Sequence, residues 1–184
     1  MVKILLLLIV TFSFVACDNN KYSSAGQNQD QTSLNKSVFQ LTSNFYAFFP
    51  QKPIKNESDF LRQKKIQHFS FFDDNSKIQY DAMVFDLRDY NIENVDDFLI
   101  SFINGENMSV EGEILHQKRT NTDNKEGYLY FITYLSDAVY MLKYVQLVFH
   151  NNMVYKWSVT GIDGVSDSKA SQIFYEKKNF MKIK

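Results

Sequence analysis

The stretch "LVFHNNMVYKWSVTG" (residues 147–161) runs apolar and aromatic side chains up to the pair Asn151-Asn152 and away from it again. Whether it is one hairpin decides what kind of sheet the chain builds. Asparagine tolerates positive φ, so a two-residue Asn-Asn connection closes a tight antiparallel hairpin. The pattern predicts strands over 139–150 and 153–162. Along the second of them Tyr155 and Trp157 alternate with Val154, Lys156 and Ser158, so the two large rings share one face.

Working outward, "VEGEILHQKR" (110–119) and "EGYLYFITYL" (126–135) read as two more strands. The latter is apolar on both faces, which predicts a central strand covered on both sides. Nearer the N-terminus, "NFYAFFP" (44–50) reads as a first strand closed by Pro50. "KIQHFSFF" (65–72) and "KIQYDAMVFDL" (77–87) form a hairpin across the turn residues "DDNS". Between these groups Val95, Phe98, Leu99, Phe102 and Ile103 fall on one helical stripe. Asn94 is placed to cap that helix, Asp96 and Asp97 suit its first turn, and Gly105 is placed to end it. A second helix is predicted from Ser168 to Lys178, with Asp167 as cap and Ala170, Ile173 and Phe174 facing inward. Strands, helix, strands, helix is the order of an α+β fold, a largely antiparallel β-sheet flanked by helices. No internal repeat is visible.

Composition narrows the function classes. The formal net charge is −1, so there is no electrostatic footprint for nucleic acid. Aromatic residues make up 16% of the 184, with 17 Phe and 11 Tyr but only one Trp. Carbohydrate platforms favour Trp and Tyr, so the Phe excess points to a packed core.

The chain opens "MVKILLLLIVTFSFVAC". Lys3 precedes a short apolar run, the layout of an export signal. The run falls well short of the roughly 20 residues a spanning helix needs. "FVAC" (residues 14–17) resembles the lipobox of bacterial lipoproteins, with Phe14 in place of the usual Leu. That resemblance implies cleavage after residue 16, a diacylglycerol on Cys17 and an acyl chain on its new amino group; no other cofactor is expected. Cys17 is the single cysteine of the chain, so no internal disulfide is available. The plainer reading is a secreted protein with an incidental Cys17. Asp18 and Asn19 resemble the signal that keeps such proteins from outer-membrane sorting, which implies an inner-membrane protein facing the periplasm rather than an outer-membrane one. Residues 17–36 are the lipidated cysteine and a polar, aperiodic tether, and residues 37–184 are a single domain.

Three features of that domain resemble the PsbP-like α/β/α sandwich: "FFPQKP" (48–53), the hairpin around Asn151-Asn152, and a closing helix ending in "NF" (179–180). The resemblance runs from about Phe45 to the C-terminus. Its motifs are structural, so it implies a non-catalytic binding or assembly domain and transfers no functional site.

Candidate chemistry is sparse. His68, His116 and His150 have no metal-ligand spacing and read as local hydrogen-bonding groups. The carboxylates Asp86, Asp89, Asp96 and Asp97 do not match a calcium loop and read as a solvated loop plus a helix N-terminus. No nucleophile elbow or phosphate-cradling glycine loop occurs, so neither a catalytic nor a metal residue is assigned. Tyr155 and Trp157 stand as a candidate interaction surface, against the plainer reading that they pack under the last helix. The expected partners are the membrane, through the lipid, and an envelope protein or a toxin. This leaves a non-catalytic protein-binding lipoprotein, an assembly or accessory factor or an immunity lipoprotein. The alternatives are a small-ligand-binding lipoprotein for transport or sensing, with an apolar pocket, and a hydrolase with clustered perturbed groups.

Overall fold

A computed structural model describes residues 37–122 and 125–184, apart from the side chains of Thr122 and Phe180. Cys17, Asp18, Asn19 and the whole signal and tether lie outside the described residues. The described elements are β1 (Val38–Gln40), β2 (Phe45–Phe48), β3 (Ile54–Asn56), α1 (Asp59–Gln63), β4 (Ile66–Asp73), β5 (Ile78–Asp86) and α2 (Val95–Ser109). They continue with β6 (Glu113–Thr122), β7 (Lys125–Ser136), β8 (Val139–His150), β9 (Met153–Ile162), α3 (Asp167–Lys177) and, after a short 3₁₀ turn, β10 (Lys182–Ile183).

The hairpin around Asn151-Asn152 is present. Asn151 and Asn152 sit at φ 51° and 53°, the backbone of a type I′ turn, and β8 pairs antiparallel with β9. A second turn of this kind joins β7 to β8 through Asp137 and Ala138, at φ 49° and 63°. Alanine carries a Cβ penalty of about 1–2 kcal/mol in that region. Part of it is returned when glycine loosens the unfolded chain. Ala138→Gly is therefore expected to stabilise the domain by about 0.5–1 kcal/mol. Urea unfolding checks this: the midpoint should rise at unchanged slope.

Seven strands form one antiparallel sheet in the order β3-β4-β5-β9-β8-β7-β6. The strand covered on both faces is β9, buried at every position from 154 to 161. β7, expected to be central, lies next to the edge strand β6. Its Tyr128, Tyr130 and Ile132 are buried on one face, while Leu129 and Phe131 on the other are only partly covered.

Two apolar layers flank the sheet. Leu99, Phe102 and Ile103 of α2 pack on Tyr128, Tyr130, Ile132, Val145, Leu147 and Val154. On the opposite face, Ala170 and Phe174 of α3 pack on Tyr155, Trp157 and Val159 together with Phe45, Phe48 and Phe49. "NFYAFFP" is thus a strand, but one that belongs to a separate three-stranded sheet, β1-β2-β10, joining both ends of the described chain. β1, β3, β10 and α1 are too short to leave a periodic signal.

The helix boundaries depart from expectation in two places. Asn94 does cap α2, its side chain accepting from the Asp96 and Asp97 amides. Gly105 does not end α2, which runs one further turn to Ser109. The stop comes at Glu111, at φ 51°, where its amide donates to Met108 O and the Gly112 amide to Asn107 O, the Schellman pattern. At the start of α3 the flanking residue is Ser166, not Asp167. The Ser166 hydroxyl accepts from the Ile162 amide and donates to Lys77 O, tying the helix start to β9 and β5. Gly161 permits that approach, since a Cβ there would lie 2.7 Å from Ser166 O.

Candidate functional site

Tyr155 and Trp157, the candidate surface pair, are 2% and 0% exposed. Their shared face is the one that α3 and β2 cover. The Trp157 ring stacks on Phe174 at 5.6 Å and 9°, and its Nε1 donates to Phe48 O at 2.9 Å. Phe45 lies 5.2 Å from the Tyr155 ring. These rings are core, and the surface assignment is corrected.

The polar groups that converge lie on the other face of β9. Because Tyr155 and Trp157 point toward α3, Lys156 between them points toward α2, into the interior. Lys143 projects from β8 onto the same face. Between the two ammonium groups sits Glu106, on the extra turn of α2. Its Oε1 accepts from Lys143 Nζ at 2.7 Å and Lys156 Nζ at 2.9 Å, and its Oε2 accepts from the Tyr130 hydroxyl at 2.5 Å. One helix and three strands are thereby pinned to a single carboxylate.

Burial pushes the Glu106 carboxyl up. The charges of Lys143 and Lys156, with the Lys143 and Tyr130 hydrogen bonds, outweigh it and hold Glu106 well below the usual carboxylate range. The two lysines diverge. Burial lowers both, but for Lys143 the Glu106 charge wins and its ammonium is strengthened, whereas for the more deeply enclosed Lys156 burial wins. Burial and the Glu106 charge push the Tyr130 phenol upward, so it remains a donor.

The polar layer continues toward β3. His68 Nε2 lies 2.8 Å from Asp81 Oδ1, and its Nδ1 lies 3.1 Å from Asn56 Nδ2. The Asn56 amide also donates to Ser70 Oγ at 2.9 Å. With Nδ1 accepting from Asn56, Nε2 carries the proton and donates to Asp81. Burial raises the Asp81 carboxyl, but the His68 hydrogen bond and the charges of Lys143 and Lys156 bring it below its ordinary value. Ser158 is fully buried, and its Oγ has no hydrogen-bond partner among the described residues.

Serine, histidine and aspartate therefore share this layer, yet both His68 nitrogens are engaged, by Asn56 and Asp81. Neither is left to take a proton from a hydroxyl, as nucleophilic catalysis needs. Both Glu106 oxygens are occupied as well. The arrangement locks strands together.

The other sequence candidates are dispersed. His116 is exposed and stacks on Phe131 at 5.2 Å, and His150 ends β8. Among the described residues no group of three or more His, Cys, Asp or Glu is placed to hold a metal ion. Asp86 pairs with Arg88, whose hydrogen bond holds its carboxyl down to about 2, and Asp89 pairs with Lys65. Asp96 accepts from the Tyr128 hydroxyl and meets Arg119. An open cleft of about 280 Å³ lies between β3, α1 and β4. Its lining, including Lys55, Glu57, Arg62, Lys65 and Asp86, is mostly charged, unlike an apolar ligand pocket.

Glu106, Lys143 and Lys156 are not among the candidates from sequence. A signal existed for the lysines: each stands at an inward position of an otherwise apolar strand. Glu106 falls three residues after Ile103, on the continuation of the helical stripe.

No protein-family model matches the chain, and no curated protein matches it. Solved structures do. Cyanobacterial PsbP (CyanoP) from Synechocystis superposes at a TM-score of 0.60 and 10% identity, over 88% of this chain and 98% of that one. A putative regulator of unknown function from Pseudomonas aeruginosa aligns at 0.48 and 8% identity, over 68% of this chain and 92% of that one. LpqN of Mycobacterium tuberculosis, involved in cell envelope biogenesis, aligns at 0.45 and 8%, over 75% and 79%. The CyanoP likeness shows the fold: a PsbP-like α+β arrangement of antiparallel sheets flanked by helices. Among the described residues no helix is long and apolar enough to cross a membrane.

Proposed function

We propose that this protein is a membrane-tethered lipoprotein of the bacterial envelope and acts as a protein-binding module without chemistry of its own. Either an assembly or accessory role for an envelope protein or interception of a toxin fits this reading. The observation that carries it is "FVAC": the sole cysteine directly follows small residues at the end of an export-like run, and a polar stretch then leads to the domain. Two or three acyl chains, at about 0.8 kcal/mol per buried CH₂, give stable attachment where one chain does not. Tethering confines the domain to the surface where its target arrives and raises its effective concentration. Asp18 and Asn19 favour the inner membrane, facing the periplasm. The internal saturation of the Glu106 and His68 groups supports a binding role over a catalytic one.

Cys17→Ser is expected to abolish lipid labelling and move the protein from the membrane fraction to the soluble one. Fractionation with radiolabelled palmitate checks this. Membrane retention of the variant, with no mature wild-type form, would sink the lipoprotein reading. The binding role is tested by mild solubilisation of the tagged full-length protein, which should bring down one near-stoichiometric partner.

A further inference from the structure

Exposed large apolar side chains are unevenly spread. Among the described residues, four of eleven lie at one corner: Leu135, Val139 and Tyr140 at the end of the β7–β8 hairpin, and Val165 in the loop before α3. Leu135 and Tyr140 are cross-strand partners, so their side chains share a face. The Asp163 amide donates to Tyr140 O at 2.9 Å, which holds the Val165 loop against the hairpin. Tyr140 is 59% exposed and Val165 70%. Asp137, Asp163 and Asp167 border this patch, and Lys169 is the one basic residue among residues 135–140 and 163–170. Among the described residues none of the three carboxylates is in an ion pair, while nearby Lys77 is drawn to Asp74.

We infer that this corner is the docking surface for a partner protein whose contact face has an apolar centre and a basic rim. The inference rests on the protein-binding reading above and deepens it. Charge decides the occupant. An anionic lipid surface would repel three carboxylates, so the patch is not a membrane foot. A second copy would set like rims against each other. A basic rim is attracted to this border, and a tyrosine at the centre of an apolar patch is a common binding anchor.

The test places a photo-cross-linking amino acid in the full-length lipoprotein at position 140 or 165, with positions 54 and 90 as exposed apolar controls, and irradiates intact cells. The expected result is one discrete protein adduct from 140 and 165 and none from 54 or 90. That adduct should fall roughly tenfold when Asp137 and Asp163 are both changed to Asn, at unchanged thermal midpoint. Adducts to lipid or to a second copy, or a yield indifferent to the two Asp→Asn changes, overturn the inference. A protein adduct from position 54 or 90 alone overturns this surface while leaving a binding module. No protein adduct from any of the four positions overturns this surface, and the solubilisation experiment above then decides whether a binding module remains.

Discussion

Glu106→Gln is expected to destabilise the domain by about 3–5 kcal/mol, the typical cost of leaving a buried charge without its partner. Here two charges are stranded, because Lys143 and Lys156 share Glu106 Oε1 at 2.7 and 2.9 Å. Glutamine keeps the shape and one acceptor but removes the charge that offsets their desolvation. Replacing Glu106, Lys143 and Lys156 together by Leu, Met and Met should recover most of the loss, since a buried ion cluster is roughly interchangeable with apolar packing. Acid provides an independent check. The folded-state pKa of Glu106 is depressed, so its contribution is complete above the ordinary value of 4.5 and is lost as pH falls from there toward the depressed one. Wild-type stability should drop more steeply below pH 4.5 than that of Glu106→Gln. Urea unfolding followed by Trp157 emission at neutral and acid pH measures both; equal slopes would mean that Glu106 is not the group responsible.

Trp157→Ala should cost about 3–5 kcal/mol as well, for a different reason. The indole is fully buried and stacked on Phe174, so its loss opens a cavity between the sheet and α3. The Phe48 carbonyl also loses its donor. Trp157→Phe separates the two terms. It retains a ring against Phe174, and the remaining loss, about 1 kcal/mol, reports the lost Trp157–Phe48 hydrogen bond. Calorimetric unfolding of both variants decides; a loss under about 1 kcal/mol for Trp157→Ala would mean that the layer repacks freely.

The parts of this fold legible in the sequence are those set by local chemistry. Asn151-Asn152, the "DDNS" turn and the Asn94 cap act over a few residues, and each is found where its chemistry places it. The errors share one cause. Gly105 looks like a helix stop until Glu106 is known to have three partners on strands far along the chain. The apolar faces of β7 do not show which strand β9 will displace from the centre. Tyr155 and Trp157 are indistinguishable from a binding pair until α3 is folded over them. Ion pairs such as Glu106 with Lys156 carry no spacing rule, so the site had no pattern to match, only the oddity of lysines in apolar strands.

The strand order has a consequence for a chain that emerges N-terminus first. The β4–β5 hairpin can close early, but β5 is completed only by β9, whose pairing partners begin with Asp86 opposite Met153. The β7–β8 ladder likewise waits for β9 on its open side. Two half-sheets must therefore persist until the strand that joins them has emerged, and that closure is long-range and slow. β2 waits longer still, since its second neighbour is β10, at the very end of the chain. The domain therefore closes only after β9 and β10 have emerged, and until then any chaperone or protease meets both half-sheets with open edges.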